Sequence, residues 1–142
     1  MELLKVIFAA ILGTILMTAF SYIVSRVRSQ QFREPKLLNM ILRRSTYEMN
    51  PSNNSILGWV VHFSIGVILM TLFYIFHITF SFSISLTSIL IYGISAGILS
   101  IICWHLMFML TPNSPDIALK EYYIQLLFAH MLFALGAFIL IF

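Results

Sequence analysis

The chain has 142 residues, of which 61% are hydrophobic and only 9% charged, whereas soluble domains average about 25% charged residues. This composition excludes a soluble globular domain and, despite the net charge of +3, gives no indication of nucleic-acid binding. Because Cys103 is the only cysteine, the sequence also excludes a dithiol redox centre within the chain.

Four segments are each long and apolar enough to cross a bilayer. A hydrocarbon core of ~30 Å needs about 20 apolar residues at ~1.5 Å per residue, and a single segment in lipid must form a helix to satisfy its own backbone. The sequence therefore predicts an all-α polytopic membrane protein, a four-helix bundle forming a single transmembrane domain over residues 1–142. The predicted spans cover about residues 3–24, 56–80, 86–110 and 122–142.

The loop between the first two spans, residues 25–55, contains most of the positive charge. By the positive-inside rule we expect this loop to be cytoplasmic and both termini to face outward. Its basic side chains are candidates for contact with anionic lipid headgroups. These residues are Arg26, Arg28, Arg33, Lys36, Arg43 and Arg44, against the acidic Glu34 and Glu48.

A short helix is predicted within this loop, because Glu34-Pro35 begins a loosely amphipathic run and proline favours the first helical turn. Lys36, Asn39 and Arg43 share its polar side. We expect this helix to lie in the membrane interface with that side toward the headgroups. A docking site for a partner protein is the alternative.

Three histidines lie inside three different spans at nearly the same depth, ~7–12 Å below the cytoplasmic edge at ~1.5 Å per residue. An ionisable side chain in hydrocarbon is costly and therefore indicates a functional site. Thr18 and Tyr22 of the first span lie at a similar depth, and Tyr123 precedes His130 by two helical turns, so it is a candidate hydrogen-bond partner for that ring. The sequence predicts a polar pocket formed by His62, His105, His130, Tyr123, Thr18 and Tyr22.

Several functions remain open for such a pocket. A histidine with a pKa near neutrality can handle protons or bind a small ligand. Two histidines on facing helices can ligate a haem b, and three imidazoles can hold a transition metal. Alternatively, the rings are polar contacts between helices, and the chain is a structural accessory subunit of a larger membrane complex or a homo-oligomer. The sequence has no HExxH metalloprotease motif, glycine-rich phosphate loop or desaturase-type histidine box, and the predicted spans carry no interior carboxylate of the kind used by ion-coupled pumps.

Glycines indicate where helices pack closely. Gly93 and Gly97 form a small-xxx-small pattern in the third span, which lets two backbones approach each other. Gly58 and Gly66 each lie four residues from His62 in the second span and are therefore predicted to share its face.

The order of these residues resembles the YagU-like small inner-membrane proteins of bacteria. The likeness rests on His62 followed by Tyr74, on Gly97, His105 and Leu110-Thr111-Pro112, and on Tyr122-Tyr123 followed by His130. A looser likeness covers the first span, with Gly13-Thr14, Met17-Thr18 and Ser21-Tyr22, and then Arg33-Glu34-Pro35. The sequence departs from the family at Leu126, where the family has a carboxylate, and at Ala129, where it has a glycine. The resemblance implies a bacterial inner-membrane location and a polar centre at His62, His105 and His130, and it implies no particular activity.

Overall fold

The structure, a computed structural model, describes residues 3–46 and 49–141. Glu48 of the basic loop and Phe142, the predicted last residue of the fourth span, lie outside the described residues. The described ranges form five α-helices and no strand: α1 (Leu3–Arg28), α2 (Glu34–Arg44), α3 (Ile56–Phe80), α4 (Leu86–Leu110) and α5 (Leu119–Ile141).

Four of these helices, α1, α3, α4 and α5, are long and apolar enough to cross a membrane. They pack in a bundle, so the predicted all-α four-span architecture is confirmed, and the chain is a multi-pass membrane protein. Below, "loop end" means the end of the bundle carrying residues 29–55 and 111–118. "Terminal end" means the opposite end, with the start of α1 at Leu3, the end of α5 at Ile141 and the turn at 81–85.

Helix α5 occupies the centre of the bundle, packed against both α1 and α4, while α1 also packs against α3 and α3 against α2. The α1–α5 contact is close because small residues line it. A Cβ atom added to Gly13 would lie 2.5 Å from the carbonyl oxygen of Phe133, and one added to Gly136 would lie 3.2 Å from the Gly13 Cα. The fully buried alanines Ala9, Ala10, Ala134 and Ala137 belong to the same core.

Helices α3 and α4 are consecutive, yet within the described residues they do not pack closely along their length. They meet toward the terminal end, where the Tyr92 hydroxyl donates to the carbonyl oxygen of Leu69 at 2.6 Å. The rings of Phe73 and Tyr92 have centroids 4.8 Å apart there. The remainder of the α3–α4 interface is an open cleft.

The glycines that the sequence predicts at helix contacts face helices other than α3 and α4. An added Cβ at Gly93 or Gly97 would face α5, with the Cβ of Ala134 at 3.0 Å from the first and the Cβ of His130 at 3.4 Å from the second. An added Cβ at Gly66 would face Thr14 of α1, and one at Gly58 would face Pro35 and Asn39 of α2.

After α1 the chain folds back toward the bundle. Ser29 adopts a left-handed conformation with φ of 51°, and the Gln30 amide donates to the carbonyl oxygen of Ser25 at 3.1 Å. The Ser25 hydroxyl donates to the Gln30 carbonyl and accepts from the Phe32 amide at 3.2 Å. This reversal buries the Phe32 ring completely and carries the first turn of α2 into the bundle.

Asn39 lies on the protein side of α2, so its predicted place toward the headgroups is wrong. Its side-chain oxygen accepts from the Gly58 amide at 2.9 Å, and its amide donates to the carbonyl oxygen of Ser55 at 2.8 Å. The physical reason is that the first amides of a helix have no partner within that helix. Asn39 supplies one for α3 and thereby docks α2 against its start.

Candidate functional site

A cavity of about 340 Å³ lies in the α3–α4 cleft toward the loop end. Its acidic and imidazole side chains are Glu34, His62 and His130, and we refer to it as the Glu–His pocket. Ser100 and Cys103 line it from α4. The rest of the wall is apolar or aromatic and includes Met17, Leu38, Trp104 and Leu126.

His62 is buried and held by α1. Its Nε2 lies 2.9 Å from the Thr18 hydroxyl, and that hydroxyl donates its own hydrogen to the carbonyl oxygen of Thr14 at 2.5 Å. Since a hydroxyl has one hydrogen, Thr18 must accept from the ring, which assigns the proton of neutral His62 to Nε2. The Nδ1 atom of His62 is then an acceptor.

His130 is also buried, and it bonds its own helix. Its Nδ1 lies 2.9 Å from the carbonyl oxygen of Leu126, and a carbonyl can only accept, so Nδ1 carries the proton and Nε2 is left as an acceptor. Among the described residues, no protein group bonds the His62 Nδ1 or the His130 Nε2. Both nitrogens can therefore accept a hydrogen bond from a molecule bound in the pocket.

Glu34 is the third polar group, and it is 1% exposed. Its Oε1 accepts from the Ser21 hydroxyl at 2.5 Å, which in turn accepts from the Gln125 side-chain amide at 2.5 Å. The Glu34 Oε2 is buried with no hydrogen-bond partner among the described residues. Burial raises the pKa of Glu34 to about 7, against the opposing effect of the Ser21 and Gln125 hydrogen bonds.

Among the described residues no cation pairs with this carboxyl. The one ion pair among the described residues joins Arg28 and Glu121 at 2.6 Å on the exposed surface. Arg33, the neighbour of Glu34 in sequence, places its guanidinium carbon 5.2 Å from the centroid of the Tyr22 ring. A buried carboxyl without a counter-charge favours its neutral, protonated form.

Tyr22 does not line the pocket, although the sequence predicts it there. Besides the Arg33 contact, its ring packs against Trp59 with centroids 5.9 Å apart. Of the two predicted α1 groups, only Thr18 contacts a pocket histidine.

His105 lies outside the pocket, on an exposed face of α4. Its Nδ1 is 2.9 Å from the Tyr123 hydroxyl, so Tyr123 bonds His105 rather than its predicted partner His130. Tyr123 and His130 are ~10.5 Å apart along α5 at ~1.5 Å per residue, whereas α4 packs beside α5 and brings His105 within reach of the tyrosine. Among the described residues, no group of three or more His, Cys, Asp or Glu side chains could hold a metal ion. The predicted three-histidine metal site is therefore not formed in this arrangement.

Glu34 and Gln125 were missed by sequence reasoning. Glu34 lies outside every predicted span, and its position next to Pro35 indicated only the start of a short helix. The chain reversal after α1 brings its side chain into the bundle. The signal for Gln125 was available, because it is an amide in an otherwise apolar part of the last span, and such a group in lipid needs a polar partner.

Fold and site together define a multi-pass membrane protein with a polar pocket open on one side of its bundle. Comparison of the chain with protein-family models, curated proteins and solved structures gives no significant match. The resemblance to the YagU-like proteins stays a prediction from the residues that carry it.

Proposed function

We propose that this chain is a membrane-embedded binding protein, whose Glu–His pocket takes up a small hydrogen-bonding ligand from the lipid phase. The observation that carries the proposal is that Glu34, His62 and His130 line one cavity. Each presents a polar atom that no protein group satisfies. Unpaired polar groups in a low-dielectric site are costly, and a ligand that forms hydrogen bonds with them recovers that cost.

The access route supports the same function. The pocket lies in the cleft between α3 and α4, where Cys103, Ile65 and Leu99 are exposed lining residues. These side chains face the surroundings of the bundle, which for a spanning segment means lipid. A lipid-soluble molecule therefore reaches the pocket sideways, without passing through either aqueous end.

Trp104 provides a direct test because it lines the pocket, whereas Trp59, the only other tryptophan, packs against Tyr22. In the Trp59→Phe variant we expect 4-bromophenol to quench Trp104 fluorescence with a saturable curve. The matched probe 4-bromoanisole lacks the hydroxyl hydrogen and should bind roughly tenfold more weakly, the value of about one hydrogen bond.

The reciprocal variant, Trp104→Phe, is the control, since Trp59 should then show only linear, non-saturable quenching. Equal quenching of both tryptophans, or equal affinity for both probes, would contradict the proposal.

Proton handling is a second candidate, favoured by the Glu34 carboxyl that titrates near neutrality beside two imidazoles. Liposomes containing the protein and an internal pH dye would report proton uptake under an imposed membrane potential. Uptake that is lost in Glu34→Gln supports this function, and uptake equal to that of empty liposomes contradicts it.

We also propose that the loop end faces the cytoplasm of a bacterial inner membrane, as the six basic residues at 25–55 and the YagU-like resemblance suggest. Arg28 bonds Glu121 and Arg44 donates to the Asn113 carbonyl, so anionic headgroups would chiefly meet the other basic side chains. In a Cys103→Ala background, a membrane-impermeant maleimide should label Ser83→Cys and spare Ser52→Cys in intact cells; the opposite pattern would invert the orientation.

A haem b and a role as accessory subunit stay predictions.

A further inference from the structure

We propose that the ligand of the Glu–His pocket is a single-chain compound with a terminal hydroxyl, bound with its hydroxyl in the pocket and its chain along the α3–α4 cleft. This inference rests on the proposed function and names the class of its ligand. A second cavity, and the chemistry of the groups at each end, carry the argument.

The second cavity, of about 700 Å³, lies in the same cleft toward the terminal end. It is lined by Phe73, Phe76 and Phe82, and by residues that also line the Glu–His pocket: Leu69, Leu72, Ala96 and Leu99. The shared walls place the two cavities next to each other along α3 and α4, and we treat them together as one channel for the ligand.

The length of this channel suits an extended hydrocarbon chain. His62 marks its loop end and Phe76 its terminal end, a separation of roughly 21 Å along α3 at ~1.5 Å per residue. That is more than half of a ~30 Å hydrocarbon core. A small polar molecule would leave most of the channel unfilled, whereas a single chain of membrane length fills it.

The pocket selects a head group by charge. Among the described residues its lining has a carboxyl and two imidazoles but no Lys or Arg, so it offers nothing to a phosphate or carboxylate head. Ser21 and Gln125, which hold Glu34, lie about two turns inside their helices, where burying a permanent cation would be costly. An uncharged hydroxyl fits, because it donates to an imidazole nitrogen and accepts from the protonated Glu34.

The opposite orientation is disfavoured because the hydroxyls of Ser85, Ser88, Tyr92 and Ser95 in the terminal-end cavity already donate to protein partners, and the other two, Ser83 and Thr87, are exposed. Ser88 donates to the Ser85 carbonyl at 2.9 Å and its amide donates to the Ser85 hydroxyl at 3.2 Å. Ser95 donates to the Ile91 carbonyl at 2.8 Å. The unpaired Glu34 Oε2 lies at the other end, which fixes the direction of the ligand.

Brominated hexadecanols in detergent-solubilised protein test both the class and the direction. In Trp59→Phe, the isomer brominated beside the hydroxyl should quench Trp104 saturably, and the terminally brominated isomer should not. The reverse should hold when Phe76→Trp is the only tryptophan, in a background with Trp59→Phe and Trp104→Phe. Brominated hexadecane, which lacks the hydroxyl, should bind at least roughly tenfold more weakly.

A brominated phenol with an alkyl chain of the same length, run in parallel, distinguishes a phenolic from an aliphatic hydroxyl. Tighter binding of one of the two probes identifies the type of hydroxyl that the pocket prefers. Equal affinity for hexadecanol and hexadecane would overturn the hydroxyl class, and a reversed quenching pattern would overturn the direction. If 4-bromophenol saturates Trp104 while no long-chain probe does, this inference fails and the proposed function survives; if neither binds, both fail.

Discussion

The α1–α5 contact and the α3–α4 cleft both involve two long apolar helices, yet one is tightly closed and the other open. Gly13, Gly136 and four buried alanines let the α1 and α5 backbones approach. In α3 and α4, an added Cβ at any of the glycines would face α1, α2 or α5. Toward the cleft, α3 presents chiefly Ile65, Ile68, Leu69 and Leu72, whereas α4 presents Leu99 with the smaller Ala96, Ser100 and Cys103.

The difference follows from the solvent. In water, such leucines and isoleucines would close together to escape it, but lipid is as apolar as they are, so only close packing holds helices together. Bulky residues in the α3–α4 interface gain little by meeting, and the cleft stays open. The bundle is therefore held where small residues of both helices meet, and it stays open where α3 presents bulky side chains.

The largest expected effect concerns the buried acid on the open side. The folded-state pKa of Glu34 is raised from 4.5 to about 7, so the folded protein binds more protons than the unfolded one between these values. Its contribution is fully present below pH 4.5 and is lost as the pH rises through about 7, a change of about 3 kcal/mol in the free energy of unfolding. In Glu34→Gln this component should vanish, as measured by denaturant unfolding in detergent across that range. An unchanged pH profile in the variant would contradict the burial described for Glu34.

The second-largest effect on stability is expected from a substitution that disrupts the α1–α5 contact. Gly13→Ala places a methyl group 2.5 Å from a backbone oxygen that cannot move aside, and we expect a loss of about 2 kcal/mol in the free energy of unfolding. Gly93→Ala is the matched change toward α5, where the nearest atom is the Ala134 Cβ at 3.0 Å, so its effect should be smaller. The reverse order in thermal unfolding would show that α1 and α5 are not the tighter pair.

Thr18→Val tests the connection between the two regions, since Thr18 belongs to α1 but bonds His62 in the pocket. Loss of that hydrogen bond should cost about 1 kcal/mol, because the His62 Nε2–H is left unpaired. The same substitution at Thr79, an exposed residue of α3, should leave the unfolding midpoint unchanged. Equal effects at the two threonines would argue against the His62 contact.

The smallest expected effect on stability is that of Ser100→Leu, which fills the pocket from α4. The cleft has room for the larger side chain, so the free energy of unfolding should change by less than ~0.5 kcal/mol. Saturable quenching of Trp104 by 4-bromophenol should nevertheless disappear. Ser64→Leu, at an exposed serine of α3, is the control and should retain it; binding that survives Ser100→Leu would place the ligand elsewhere.

The spans themselves were predictable, because an apolar segment of sufficient length has one stable form in lipid. The observed start of α5 at Leu119, against the predicted 122, is the kind of shift that charged residues near a helix end permit. The positions of Thr18, His62 and His130 along the bundle also followed from residue counting. Depth, however, says nothing about rotation around a helix axis, and His105 at a similar depth faces away from the pocket.

The groups that sequence reasoning placed wrongly depend on tertiary contacts. Asn39 looked like a headgroup-facing residue because a short amphipathic pattern does not reveal that the start of α3 needs a hydrogen-bond acceptor. Glu34 looked like an ordinary loop acid because its burial depends on the reversal at Ser25–Phe32. Both errors arose in the loop, where hydropathy constrains the chain least.

The chain of hydrogen bonds from Glu34 through Ser21 to Gln125 has a consequence for biosynthesis. Ser21 lies in α1 and Gln125 in α5, 104 residues later in the chain, so this polar centre forms only after α5 has been made. Until then the Ser21 hydroxyl, which bonds Glu34 in the first turn of α2, lacks its Gln125 partner. A shortened polypeptide ending before Gln125 would keep that hydroxyl without this partner, which gives membrane quality control a chemical mark of incomplete assembly.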